Sequence, residues 1–296
     1  MELQGRVEDL RKAGLGLAAI SYDPPEILVA FSQRRGITFP LLSDAGSATI
    51  KAYGILNTVA GEAIGVDRDE PVVAADVKKY VSVTASRNTA VITNGTPFPG
   101  TFVVDRAGRV TSRHFEEFYR ERSTVANIML RLGGRVDTVA ATKISTDHLE
   151  ITTYAGDATV APGERTALVI EVRPRPRIHV YAPDASGYRS VTLTMVPEPL
   201  VRVLPIQFPR SEIYFFKPLN ERVPVYQKPF TLLQELVLEV TPQAEAAFRS
   251  RKGLTIGGTL EYQACDDKIC FNPVAVPLSW TLSVTPNITE RLNRSQ

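Results

Sequence analysis

Apolar and polar positions follow two different rhythms along this chain, and the rhythm changes near residues 133–145. Before the change, apolar runs alternate with helical spacing. Gly14 to Tyr22 is a continuous apolar run, the pattern of a buried parallel strand. Asp23-Pro24-Pro25 predicts a helix start with Asp as cap and Pro in the first turn. Ile27, Leu28, Ala30 and Phe31 give that helix an apolar face, and Gly36 stops it. A short strand is predicted over Thr38–Leu42, then a helix from Asp44 to Tyr53 ended by Gly54. Thr101–Val104 and Val110–His114 flank the turn chemistry of Asp105-Arg106-Ala107-Gly108-Arg109. Val125, Ile128, Met129 and Leu132 have the spacing of a helix that closes the first domain. Residues 57 to 95 carry no clear period and are expected to form a long insertion.

After residue 145 short alternating segments are separated by Pro and Gly turns. They are Ala167–Val172, Ile178–Tyr181, Val191–Thr194, Leu236–Val240, Gly258–Tyr262 and Leu278–Leu282. Most of the 21 prolines fall in this half, at turns and edges. The spacing predicts an all-β sandwich behind an α/β domain, each long enough to bury a core.

Composition narrows the function. The 296 residues carry 34 Lys and Arg against 32 Asp and Glu, with no long run of one sign. That argues against binding nucleic acid or a membrane surface through clustered cations. No stretch approaches the ~18 apolar residues of a membrane helix. Two cysteines and three histidines are too few and too scattered for a structural zinc site or a disulfide-dense scaffold. No metal, nucleotide or flavin cofactor is implied. The polar opening, Met1-Glu2-Leu3-Gln4-Gly5-Arg6, does not read as a signal peptide.

Pro97-Phe98-Pro99-Gly100-Thr101-Phe102-Val103-Val104-Asp105-Arg106-Ala107-Gly108-Arg109-Val110, with Ile20-Ser21-Tyr22-Asp23 and Phe39-Pro40-Leu41-Leu42-Ser43-Asp44, resembles a thioredoxin-like redoxin of the AhpC/TSA type. The resemblance covers residues 1–134. It implies that Pro99 is the family's cis-proline; the plainer reading is an ordinary turn proline, since cis is a small minority of X-Pro bonds. Redoxins place a reactive cysteine at the start of their first long helix, where the helix terminus lowers the thiol pKa. Here no cysteine precedes Cys265. The chain opens in what resembles the later part of that helix, so an N-terminal truncation is expected, with a degenerate, non-catalytic domain as the alternative. The threonine and arginine that peroxidases of this family use cannot be placed either, which ranks a peroxidase third.

In the second half, Val160-Ala161-Pro162-Gly163, His179-Val180-Tyr181-Ala182-Pro183, Gly187-Tyr188 and above all Glu261-Tyr262-Gln263-Ala264-Cys265-Asp266-Asp267-Lys268-Ile269-Cys270-Phe271-Asn272-Pro273 resemble the N-terminal domain of thiol:disulfide interchange proteins of the DsbD type. This covers residues 145–286 and implies an immunoglobulin-like sandwich. The resemblance implies that Cys270 is the nucleophile that joins a partner in a mixed disulfide and that Cys265 resolves it. It also implies aromatic shielding of the pair, for which Tyr181, Tyr188, Tyr214 and Phe215 are the candidates.

In a straight strand the two cysteines would lie roughly 16 Å apart. A disulfide needs Cα atoms within ~7 Å. Asp266-Asp267-Lys268-Ile269 must therefore turn, and Asp-Asp suits a turn. So short a closure constrains little chain, which favours a working pair over a staple. The aspartates would raise a nearby thiol pKa and Lys268 would lower it.

His179 reads as structural and Trp280 as a core residue; His114 and His148 carry no pattern. The implied function is thiol-disulfide exchange through Cys265 and Cys270, with thioredoxin-like or DsbD-type redox proteins as partners, in the periplasm or cell envelope. The rival is a non-catalytic interaction module with an inert disulfide on a degenerate thioredoxin-like scaffold.

Overall fold

The computed structural model describes residues 2–56, 97–115, 121–136, 140–216, 220–251 and 253–285. The insertion expected at 57–95 lies outside them. The chain divides into two compact units, Met1–Tyr119 and Arg120–Gln296. No helix among the described residues is long and apolar enough to cross a membrane.

The first unit opens with α1 (Glu2–Gly5) and α2 (Val7–Lys12). Strands β1 (Ala19–Ser21) and β2 (Leu41–Ser43) pair in parallel, with α3 (Pro25–Arg35) as their crossover. The apolar run from Gly14 yields only three strand residues. The cap of α3 is Pro24 rather than Asp23, which instead accepts a hydrogen bond from the Ser21 hydroxyl at 2.7 Å. Gly36 ends α3 at φ 62°, the left-handed turn its missing Cβ allows. In α4 (Ala48–Ala52) the Thr49 and Ile50 N–H groups donate to the Asp44 carboxylate. Strands β3 (Gly100–Val104) and β4 (Val110–Phe115) form the expected hairpin. Asp105 Oδ1 closes its turn by accepting from the N–H groups of Ala107 and Arg109.

Two sequence expectations change here. No peptide bond among the described residues is cis, so Pro99 is a trans proline. Pro97 bridges to Leu56 and the Phe98 N–H donates to Ile55 O at 2.7 Å, which leads the segment into β3 without the reversal a cis bond would make. The helix expected to close the first domain also belongs elsewhere. Helix α5 (Val125–Arg131) and β5 (Arg122–Ser123) lie in the second unit, where β5 pairs in parallel with the start of β9 (Glu164–Pro174). The reason is chemical: Thr124 and Asn127 find buried polar partners there, with the Thr124 hydroxyl donating to Asp157 at 2.6 Å.

The second unit is β-rich. One sheet runs β12 (Val201–Val203), β15 (Phe230–Leu238), β9, β7 (Leu149–Ala155) and β6 (Thr142–Ser145). A second runs β11 (Thr192–Met195), β16 (Gly253–Tyr262), β18 (Val274–Val284) and β8 (Thr159–Val160). Alternate residues of both face one core, consistent with a β-sandwich: Leu168, Ile170, Leu232 and Leu236 from the first sheet meet Ile256, Leu260, Leu278 and Leu282 from the second. Trp280 lies in that core, its indole N–H donating to Thr153 Oγ1 at 2.7 Å. Helix α6 (Pro242–Ser250), which the strand pattern hid, seats Ala244 and Phe248 against the same core.

A third sheet carries the cysteines. Its order is β13 (Glu212–Phe216), β14 (Glu221–Tyr226), β10 (His179–Tyr181) and β17 (Ala264–Cys265). Strand β17 continues from β16 after Gln263, so the sandwich anchors one flank of the cysteine pair.

Candidate functional site

Cys265 and Cys270 are joined by a disulfide, with Cα atoms 4.0 Å apart. The turn between them is the one the aspartates were expected to make. Asp266 N–H donates to Ile269 O, and Asp266 Oδ1 accepts from the N–H groups of Lys268 and Ile269 at 2.7 and 2.8 Å. Those backbone bonds hold the Asp266 carboxyl below its usual pKa. Past the turn, Phe271 N–H donates to Ala264 O at 2.8 Å and Gln263 Nε2 donates to Phe271 O at 3.1 Å.

The two sulfurs occupy different environments. Cys265 is 2% exposed, whereas Cys270 is exposed. A thiolate from solvent therefore meets Cys270 first. Tyr181 lies on β10, beside β17, with its hydroxyl 3.2 Å from Cys265 Sγ and 3.4 Å from Cys270 Sγ. Neither sulfur of a disulfide carries a proton, so the phenol is the donor in both contacts. Burial, and then the Glu221 charge, push its pKa up, which keeps that proton in place.

Aromatic rings enclose the buried sulfur. Tyr188 stacks on Tyr181 with centroids 4.3 Å apart, and its hydroxyl donates to Glu221. That bond, with burial second, pushes the Tyr188 pKa up to about 12. Tyr214 donates to Asp267 Oδ1 at 2.9 Å and so ties β13 to the turn between the cysteines. Its pKa is raised by burial and then by Asp267.

Tyr181, Tyr188 and Tyr214 are thus brought together around the cysteines. Phe215 is not. It is 46% exposed and lies under the Arg222 guanidinium, 6.0 Å from the ring centroid. Side chains alternate along β13, so placing Tyr214 toward the sulfurs turns Phe215 away. Pro99 lies in the other unit.

Two histidines that carried no functional signal also stand here. His179 is the register partner of Cys265 and stacks against Tyr214, with centroids 4.5 Å apart. Burial lowers its pKa, opposed by the charges of Asp267 and Asp266. Its place could be read from the period of two that puts it on the face of Tyr181. His148 stacks on Phe271 from a turn far away in sequence, and no local pattern announces that contact.

Comparison with known proteins divides the chain in the same way. Residues 1–113 match the family model described as the AhpC/TSA family. Residues 150–276 match that described as thiol:disulfide interchange protein DsbD, N-terminal. The chain thus joins a thioredoxin-like, AhpC/TSA region to a DsbD N-terminal-type region, and both cysteines fall within the second match.

Two Mycobacterium tuberculosis proteins whose names place them provisionally among the peroxiredoxins are 40% identical to this chain over 53 residues. That stretch is 18% of this chain and 34% of each relative, so the chain spans about a third of the curated relatives it matches. Among crystal structures, the N-terminal periplasmic domain of ScsB from Proteus mirabilis is similar at 13% identity and TM-score 0.35, over 51% of this chain and 55% of that one. The reduced N-terminal domain of Neisseria meningitidis DsbD is similar at 16% identity and TM-score 0.26, over 38% of this chain and 74% of that one. The match to the family model, the paired cysteines and their geometry suggest a thiol-disulfide redox function.

Proposed function

We propose that the second unit is an immunoglobulin-like module that passes electrons by dithiol-disulfide exchange, with Cys270 as the sulfur that joins the partner and Cys265 as the one that resolves. The observation that carries this is the asymmetry of the pair: Cys270 is an exposed residue, whereas Cys265 is buried, with the Tyr181 hydroxyl nearer its sulfur, at 3.2 Å against 3.4 Å. A partner thiolate attacks Cys270 Sγ, the bond to Cys265 breaks, and its electron pair leaves on Cys265 Sγ. A second partner thiolate then attacks the partner's own sulfur in the mixed disulfide and expels Cys270 Sγ. The partner ends as a disulfide and this unit as a dithiol; two electrons have moved, and the partner's two protons end on Cys265 and Cys270.

A dithiol protein of thioredoxin type suits this role, because its paired thiols supply both attacks. An oxidising compartment such as the periplasm suits a disulfide in this state and agrees with the DsbD-type match. The AhpC/TSA region supplies no thiol of its own in this sequence, since residues 1–264 contain no cysteine. Peroxide chemistry therefore has less support than exchange.

Equilibration with glutathione tests the reading. A reduction potential above about −300 mV, within reach of glutathione, supports it, and a value well below that identifies an inert bridge instead.

The Tyr181 hydroxyl has a distinct part. When Cys265 leaves as a thiolate, the phenol donates to it, and a bond to a charged acceptor is worth more than one to the neutral disulfide. Tyr181→Phe is therefore expected to slow reduction by a small dithiol about tenfold and to lower the potential. Stopped-flow reduction and a redox titration measure the two; an unchanged rate removes the hydroxyl from the mechanism.

A further inference from the structure

We propose that His148 is a positioning residue for the exposed sulfur, acting through Phe271; the inference rests on Cys270 being the sulfur that partners attack. Phe271 follows Cys270 in the chain. Its N–H and C=O are both bonded to the segment that leads into Cys265, through Ala264 O and Gln263 Nε2. Its ring lies over the His148 imidazole, with centroids 4.4 Å apart and planes tilted 36°. The direction of Cys270 is thus set by main-chain bonds on one side and by a ring contact on the other.

His148 is itself held firmly. It sits in the turn between β6 and β7, where its N–H donates to Thr146 Oγ1 at 3.3 Å and its C=O accepts from Arg175 N at 2.9 Å. Thr146 Oγ1 shares a 2.7 Å hydrogen bond with the Tyr262 hydroxyl, and Arg175 Nε donates to Thr146 O at 3.1 Å. Tyr262 is the last residue of β16, just before Gln263. One turn of the sandwich therefore grips the chain on both sides of the cysteine pair.

On the Nδ1 side the imidazole offers Phe271 a flat ring and no hydrogen bond. Its Nδ1 is buried without a hydrogen-bond partner. An unpaired buried nitrogen costs free energy, so a ring of the same shape without it should serve at least as well. The brace matters most once the disulfide is open. The covalent link between the cysteines is then gone, and the Asp266 turn and the Phe271 clamp keep Cys270 within reach of Cys265. That proximity sets the effective concentration of one thiol toward the other, hence both the stability of the disulfide and the rate of resolution.

The test is equilibration of the full chain with dithiothreitol, which reduces inert and working disulfides alike. A parallel measurement follows decay of the Cys270–glutathione mixed disulfide. The variants are His148→Ala, His148→Leu, which keeps bulk without a planar ring, and His148→Phe. His148→Ala and His148→Leu are expected to shift the dithiothreitol equilibrium toward the dithiol about fivefold, near 20 mV, and to slow resolution by a similar factor. His148→Phe should restore both to near the parent values.

Parent-like behaviour of His148→Leu, or failure of His148→Phe to improve on it, overturns the proposal even if His148→Ala does not fold. A parent disulfide that resists glutathione, with the dithiothreitol shifts intact, instead rejects the exchange function and leaves the brace standing.

Discussion

Cys265→Ser is expected to stay covalently attached to a thioredoxin-like partner whose attacking cysteine is capped as a mixed disulfide and whose second cysteine is replaced by serine, whereas Cys270→Ser forms no adduct at all. The expectation follows from access. In the first variant the exposed Cys270 thiol attacks the capped partner sulfur and expels the cap, and neither Cys265 nor a second partner thiol is present to release the product. In the second the remaining thiol sits at a 2% exposed position behind Tyr181, which is itself covered by the stacked ring of Tyr188. Exchange needs a thiolate that can reach the partner sulfur along the disulfide axis, and burial removes that approach. Non-reducing electrophoresis with intact-mass measurement reads the adduct directly. In the reduced parent protein, alkylation should mark Cys270 at least about tenfold faster than Cys265. An adduct trapped through Cys265 would reverse the assignment of roles, and adducts with neither variant would leave the bridge a structural one.

The contrast between these cysteines was only partly legible in the sequence. Their spacing forces a turn, and Asp266 makes the turn as its side chain suggests. Burial is not a local property. Cys265 is covered by side chains from β10 and the segment after it, and the sequence does not show that β10 lies beside β17. The aromatic cover was legible where alternation decides the face. Ile213-Tyr214-Phe215-Phe216 is apolar throughout, so the pattern alone could not separate the inward Tyr214 from the outward Phe215. The long alternating strands of the sandwich were readable because one face of each is buried, as in β18. Helix α6 carried its own start signal, Thr241 as cap and Pro242 at the first position, yet its short length hid it among strands. For α5 the helix was readable and its place was not, because its deciding hydrogen bond joins Asn127 to Glu235, 108 residues away.

That same bond belongs to the cluster where the largest loss of stability is expected. Glu235 is 1% exposed in the middle of β15. Arg165 meets its carboxylate with two parallel bonds, Nε to Oε1 at 3.1 Å and Nη2 to Oε2 at 2.8 Å. Asn127 Nδ2 donates to Oε1 at 2.8 Å, Gln207 donates to Oε2, and Arg131 stands 3.7 Å away. Burial alone would raise the Glu235 pKa, but the Arg165 and Asn127 bonds and the two arginine charges outweigh it, so the net shift is downward. Removing one partner leaves a buried charge without its main counterion, a change that costs more than the intact pair contributes. Arg165→Ala is therefore expected to destabilise the second unit by about 3 kcal/mol, the lower end of the usual range because Arg131 and Asn127 remain.

The melting temperature should fall by roughly 6–12 °C. The pH dependence follows from the sign of the shift. A carboxyl held below its unfolded pKa of ~4.3 contributes stability that is present above that value and lost as pH falls through the folded one. In Arg165→Ala burial acts with less opposition, so the loss should begin at higher pH. Replacing both partners, Arg165→Leu with Glu235→Leu, should cost less than Arg165→Ala, since no charge is left unpaired. Denaturant titrations of the parent and these variants at pH 4 and pH 7 measure both effects. Hydrogen exchange should lose protection first in α5, the helix that Asn127 and Arg131 tie to the cluster. Arg165→Ala with parent-like stability at both pH values would mean that this buried pair does not hold the helix to the sheet.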